Sequence, residues 1–296
     1  MKVLVLLMVC DSDQAIICPT IQQIVDLLSD LDLHFIIYDD ASSERLGDKV
    51  KNTFEASISG QIHVIRSEKS KGFYHIVENI MTMFRYAIRL NEHFDCVLKI
   101  DPDLAFTSKG FRDLFNPEYL PQKGIVSTIF KSRLRDYVQF YADLLPFGFR
   151  RQRKADKIGH RWEWAGLRKI WWRDLGFKAF LNGYRGEVAP GCFILLCWEI
   201  FTAMNEHKYF EMDHRNTGLI FAEDVFITIM AKALDHPLYD LKDIHPSFKS
   251  NIFLNEDATI DDIKEEGYYL VHPLKDRPWA NALRQDIKAS LAEVSQ

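Results

Sequence analysis

The chain has 296 residues, 47% of them hydrophobic, enough for one large α/β domain or two small ones built around a real core. Its 37 Lys and Arg against 42 Asp and Glu give a net charge of −5, which offers no general reason to expect nucleic acid, although local clusters weigh more than the sum. Five cysteines, Cys10, Cys18, Cys96, Cys192 and Cys197, lie mostly within apolar runs, which suggests no disulfide framework, and no apolar run is long enough to cross a bilayer. A reducing cytoplasm is the expected home.

The opening Met-Lys-Val-Leu-Val-Leu-Leu-Met-Val-Cys resembles a short signal sequence, but it runs into Asp11-Ser12-Asp13 without a small-residue cleavage site. We read residues 3–9 as a buried strand, 21–31 as a helix with apolar residues near 21, 24, 25, 28 and 31, and 33–38 as a second strand. That is a β-α-β beginning. The second strand ends in Asp39-Asp40-Ala-Ser-Ser-Glu44, an acidic loop that suits either a capped turn or hydrogen bonds to a base or ribose.

A third strand over 62–65 is followed by Arg66-Ser-Glu-Lys-Ser-Lys-Gly72 and a helix with Ile76, Val77, Ile80, Met83, Phe84 and Ala87 on its apolar face. Lys69, Lys71 and a helix start at Gly72 would suit an anion, or form only a solvated basic loop. The helix leads into Phe94-Asp-Cys-Val-Leu-Lys-Ile-Asp-Pro-Asp-Leu-Ala-Phe106. Residues 96–100 read as a strand, and Pro102 fits its end because it has no N–H to donate. Asp101 and Asp103, two apart, would point to one side and converge beyond the strand, where ligands sit in open α/β sheets. Hard oxygen ligands suit Mg²⁺ or Mn²⁺, while a solvated turn with a capping Asp remains the structural alternative.

Farther on, residues 124–130 read as another strand. Residues 149–178 form a basic and aromatic island, with ten Lys or Arg against three acids and Trp162, Trp164, Trp171 and Trp172 interleaved. Such a stretch could meet an anionic membrane surface, a sugar ring, an anionic acceptor or a nucleic-acid face, or bury its tryptophans on the domain. A strand entered through Pro190-Gly191 follows, then a helix over 199–207; Gly191 permits close backbone approach or serves only the turn. Phe226, Ile229, Met230, Ala233 and Leu234 form a helical stripe that places Glu223 and Asp224 in or near a first turn, where the helix dipole alone would favour acids. Near the end, Gly267-Tyr-Tyr-Leu-Val-His272-Pro-Leu-Lys275 reads as a short strand closing at His272, and residues 281–292 as a mostly polar helix.

The order of these motifs, strand, Asp39-Asp40-x-Ser, basic-Gly loop with helix, then V-L-K-I-D-P-D, resembles the nucleotide-sugar-dependent glycosyltransferases of GT-A fold. The resemblance covers the first 110 or so residues and recurs at spaced points. It implies a single α/β domain: a mixed, mostly parallel, Rossmann-like sheet flanked by helices, with a helical basic and aromatic insertion over 149–178. It further implies a nucleotide-binding half over 1–110 and an acceptor half over 111–296. Asp39, Asp40, Lys71, Gly72, Asp101, Gly191 and Lys275 would contact a nucleotide-sugar donor. Asp101, Asp103 and His272 would hold Mn²⁺ or Mg²⁺, although a histidine at such a strand end also serves structure alone. Asp224 would be the base of an inverting transfer, with Glu223 as acceptor ligand or alternate.

The expected partners are a UDP-sugar, because UDP is the usual donor nucleotide of that family, and a glycan or lipid-linked saccharide. Peripheral membrane contact would run through residues 149–178. A non-catalytic nucleotide- or glycan-binding domain of the same fold is the second reading. A haloacid-type phosphotransferase fits less well, because its D-x-D lies near the first strand and continues into small residues, whereas Leu104-Ala105-Phe106 follows here. A sugar-nucleotide pyrophosphorylase would need a basic, glycine-rich first loop, and Cys10-Asp-Ser-Asp13 is acidic.

Overall fold

The computed structural model describes residues 1–72, 75–131, 170–213, 222–245, 247–255, 257–275, 277 and 279–293. Four strands come first: β1 (Lys2–Val9), β2 (Asp32–Asp39), β3 (Ile62–Arg66) and β4 (Cys96–Ile100). They are followed by β5 (Ala105–Phe106), β6 (Ile125–Ser127), β7 (Phe130–Lys131), β8 (Glu187–Val188) and β9 (Phe193–Cys197). The last are β10 (Leu238–Asp240), β11 (Ser250–Asn251) and β12 (Leu270–Val271). Seven of them form one sheet in the order β10-β6-β9-β4-β1-β2-β3. Its strands pair in parallel except where β9 runs antiparallel to β4 and β6. Two small sheets, β11-β12-β5 and β7-β8, stand beside it.

The sheet is buried on both faces, as apolar runs without alternation require. Along β1, Val3, Val5, Leu7 and Val9 face a core that includes helices α1 (Ile17–Leu27) and α2 (Leu46–Phe54), while Leu4 and Leu6 face the core that holds α3 (Ile76–Arg89). The stripe read from the sequence for α3 is buried throughout, and in the helix Ala222–Ala233 the stripe residues Phe226, Ile229, Met230 and Ala233 are buried too. No described helix is long and apolar enough to cross a membrane.

Several boundaries differ from the sequence reading. Helix α1 begins four residues early, because Pro19 falls in its first turn, where a missing N–H costs nothing. The expected strand over 124–130 is broken: β6 belongs to the large sheet, while β7 pairs antiparallel with β8. Helix α2, with one apolar residue per turn at Leu46, Val50 and Phe54, is an element the sequence reading did not include. Gly72 does not start a helix; it has φ +65° in the loop before α3, whose first residue is Ile76. Of the basic and aromatic island, residues 149–169, including Trp162 and Trp164, lie outside the described residues, and the rest belongs to the helix Ile170–Leu181.

Strands β1 to β4 are mutually parallel, so their carboxyl ends open on one edge, and the sequence loads that edge with acids. Asp39, which ends β2, is fully buried. Its Oδ1 accepts from Ser42 N at 2.7 Å, and its Oδ2 accepts from Ser42 Oγ at 2.9 Å, Gly47 N at 3.1 Å and the neighbouring strand's Arg66 Nη1 at 2.8 Å. Gly47 is what allows the approach: a Cβ there would stand 2.6 Å from Val64 Cγ1 and 3.3 Å from Asp39 Cβ. Asp39 thus organises the loop that leads from β2 into α2. Replacing Asp39 with Ala would strand the Ser42 and Gly47 N–H groups, while Arg66 could turn to water. We expect Asp39→Ala to lower unfolding free energy by roughly 2 to 4 kcal/mol, read as a drop in urea midpoint.

Candidate active site

Strand β4 lies in the middle of the seven, with all five residues buried. Its ladder with β9 continues one step past Ile100, where Asp101 N donates to Cys192 O at 3.0 Å. The chain then turns at Pro102-Asp103, closed by Leu104 N donating to Asp101 O at 3.2 Å, so the two carboxylates meet around a turn rather than along an extended strand. Directly after it, β5 pairs antiparallel with β12, Ala105 opposite Val271 and Phe106 opposite Leu270. Just outside this ladder Leu274 N donates to Asp103 O at 2.9 Å. This pairing between distant parts of the chain delivers His272 to the Asp101-Pro102-Asp103 turn.

Asp101, Asp103 and His272 each offer one ligand atom, all within 4.8 Å of one another. His272 Nε2 lies 3.1 Å from Asp103 Oδ1 and 4.0 Å from Asp101 Oδ2. Its Nδ1 lies 3.3 Å from the carbonyl of Ile252, an acceptor only, so Nδ1 carries a proton and Nε2 points into the cluster. Two carboxylate oxygens and an imidazole nitrogen make a set able to hold Mn²⁺ or Mg²⁺.

The cluster holds its charge by compensation. Burial works against a charged His272, but the hydrogen bonds and charges of Asp103 and Cys192 outweigh it and hold the imidazole well above its usual range. Of the two, Asp103 carries the effect, because burial pushes the Cys192 thiol up and leaves it neutral at neutral pH. Asp103 answers in kind: burial opposes its charge, but the hydrogen bond and charge of His272, with Lys275 beyond it, together outweigh that and lower its pKa. Asp101 is served from the other side by Lys99, which is fully buried and donates from Nζ to Asp101 Oδ1 at 2.6 Å and to Gly191 O. Lys99 went unremarked in the sequence, although a lysine inside the apolar run Cys-Val-Leu-Lys-Ile was a visible signal.

Around this centre the other expected residues take different places. Asp40, almost fully buried, accepts from Ser70 Oγ at 2.9 Å, Lys71 N at 3.0 Å and Gly72 N at 3.1 Å, so it pins the basic loop by its backbone. The Lys71 side chain reaches Glu78 at 3.4 Å. Gly191 is buried at the entry to β9, its carbonyl turned to Lys99. Lys275 crosses to the end of β1, donating to Ser12 Oγ at 2.5 Å and Asp13 Oδ1 at 2.9 Å. Burial opposes its charge, but Asp13 outweighs that and raises its pKa. Asp13, which the sequence reading used only as part of an acidic first loop, also accepts from Cys10 N at 2.9 Å. Glu223 and Asp224 belong to the first turn of the helix Ala222–Ala233, which packs on β8, the strand that leads into Gly191.

No protein-family model matches the sequence, and no curated protein matches it. Solved structures do. The apo structure of the bifunctional glycosyltransferase WbbM aligns with a TM-score of 0.50 at 14% identity, over 96% of this chain and 51% of that one, so this chain spans about half of its length. Mouse xyloside xylosyltransferase 1 aligns at 0.46 and 11% identity, over 92% and 96% of the two chains. Mannosyltransferase PcManGT from Pyrobaculum calidifontis, in complex with GDP-Man and Mn²⁺, aligns at 0.42 and 13% identity, over 99% and 75%. The chain has the GT-A glycosyltransferase fold: a seven-stranded, mostly parallel sheet flanked by helices.

A cation that takes His272 Nε2 as ligand must displace its proton. Because the imidazole's pKa is raised, the Asp103 ion pair is fully present below the unfolded imidazole pKa and is lost as pH rises through the folded value. In that window each bound ion should therefore release about one proton, and affinity should strengthen as pH rises. Calorimetric Mn²⁺ titrations in buffers of different ionisation enthalpy would measure the release. His272→Gln should abolish that proton count while leaving the carboxylates in place.

Proposed function

We propose that this protein is a metal-dependent glycosyltransferase that moves a hexosyl group from a nucleotide diphosphate, UDP in the first instance, to a hydroxyl of a glycan or lipid-linked saccharide. The observation that carries the reading is the meeting of Asp101, Asp103 and His272, from distant parts of the chain, at the carboxyl edge of the sheet in a GT-A fold. The whole chain would act as one catalytic domain, residues 1–110 holding the nucleotide and 111–296 the acceptor.

Departure of a nucleoside diphosphate from the anomeric carbon develops negative charge on phosphate oxygens, and a divalent ion bound at the cluster supplies positive charge to them. The chain's own contribution begins with Asp101, Asp103 and His272, which present that ion, and with Lys275, which would exchange Asp13 for the diphosphate. The loop wired by Asp39 and Asp40 would present its backbone and the Lys71-Gly72 segment to the nucleoside, and Gly191 would line the cleft. Asp224 would remove the proton from the acceptor hydroxyl as the new bond forms, with inversion at the sugar, and Glu223 would hold the acceptor.

A place at the cytoplasmic face of a membrane is supported by the basic and aromatic stretch over 149–178 and by Phe177 and Leu181, exposed one turn apart on the helix Ile170–Leu181. The donor assignment can be tested by calorimetry with UDP and Mn²⁺. Asp101→Asn and Asp103→Asn should each abolish metal-dependent UDP binding together with sugar transfer. Asp224→Asn should keep UDP binding and lower transfer roughly 10²- to 10⁴-fold, as expected for a general base. UDP affinity unchanged in both aspartate variants would overturn the metal assignment.

A further inference from the structure

The two oxygens of Asp101 have separate environments. Oδ1 takes the Lys99 ammonium at 2.6 Å, on the buried side of the turn, while Oδ2 is the oxygen 4.0 Å from His272 Nε2, on the cluster side. Lys99 is fully buried and also bonds Gly191 O, and the next carbonyl along, that of Cys192, accepts from Asp101 N at 3.0 Å. The Lys99 side chain and the Asp101 backbone are therefore both fastened to the segment entering β9, and the carboxylate they flank has little freedom to turn.

We infer that Lys99 is a positioning residue that restricts Asp101 to one metal-facing oxygen and so sets the preference of the site for small octahedral cations over calcium. The inference rests on the metal site proposed above and specifies which ions it accepts. Mg²⁺ and Mn²⁺ are satisfied by single oxygens from carboxylates together with water and substrate phosphates, whereas Ca²⁺ takes six to eight oxygens and gains from carboxylates that chelate through both. With Oδ1 held by the Lys99 ammonium, chelation through both oxygens would bring the ion against that positive charge and is disfavoured. The set is thus poor in oxygens for a large ion and sufficient for a small one.

The test compares ion preference rather than affinity alone, because any disturbance of the turn would weaken all ions together. Mn²⁺ and Ca²⁺ are titrated calorimetrically into the wild-type protein and into Lys99→Met, which keeps the length of the apolar stem and removes the ammonium. The Mn²⁺-to-Ca²⁺ affinity ratio should fall by about tenfold or more in the variant, the scale on which groups behind a metal ligand act. An unchanged ratio in a folded variant would overturn the inference. Wild-type crystals soaked in Mn²⁺ give a measurement that does not depend on the variant folding. Asp101 should then bind through Oδ2 with Lys99 still on Oδ1, and an ion held by both oxygens would overturn the inference. Wild-type protein that binds neither ion would overturn the metal site itself, an outcome distinct from binding without discrimination.

Discussion

Crowded acids at one edge of a buried sheet are the constraint on which this structure depends. The ends of β1, β2 and β4 carry Asp13, Asp39, Asp101 and Asp103, and carboxylates so placed repel one another unless cations stand between them. Each of the four has one: Lys275 at 2.9 Å from Asp13, Arg66 at 2.8 Å from Asp39, Lys99 at 2.6 Å from Asp101 and His272 at 3.1 Å from Asp103. Asp40 uses backbone N–H donors and the Ser70 hydroxyl instead. The partners differ in how firmly they are held. Lys99 is fully buried within β4 and has no route to water, and Arg66 ends β3 with a second bond to the Ser42 carbonyl, while His272 and Lys275 come from the segment after β12 and are partly exposed. The buried Lys99 sets the shape of the edge, whereas an incoming cation would take only the proton of His272, and an incoming anion would compete with Asp13 for Lys275.

That division also explains how much could be read from the sequence. The strand pattern is local, so the runs ending at Val9, Asp39 and Ile100 were legible, and so was the buried stripe of α3. Acids at a strand's carboxyl end were legible as well, but the same letters serve a ligand or an internal network. Asp39 spends both oxygens on four donors inside the protein, and nothing in Asp-Asp-Ala-Ser-Ser distinguishes that from a carboxylate awaiting a nucleoside. His272 could be tied to Asp103 only through the order of motifs in a known family. The physical cause of their meeting, the two-residue ladder between β5 and β12, is too short to leave a pattern. The break between β6 and β7 was hidden for a similar reason, since an apolar run does not announce which sheet its second half will join.

The C-terminal helix Ala280–Glu293 shows why the first 110 residues, although they carry most of the motifs, do not make the site alone. Arg284 on that helix is buried and donates from Nη2 to Thr20 Oγ1 at 3.0 Å and to Leu104 O at 3.3 Å, and Thr20 in turn donates to Pro102 O at 2.6 Å. The turn holding Asp101 and Asp103 is therefore gripped from beneath by α1 and the last helix, and from the side by β12. Burial brings the Arg284 pKa down to about 10, which still leaves it charged at neutral pH, and the charge of Asp103 offsets part of the loss. A buried guanidinium costs several kcal/mol unless its surroundings repay it. That cost falls beside the turn where the chain holds a pair of repelling carboxylates. The end of the chain thus acts as a brace for its middle, and the geometry of the carboxylate pair depends on contacts made across nearly the full length of the sequence.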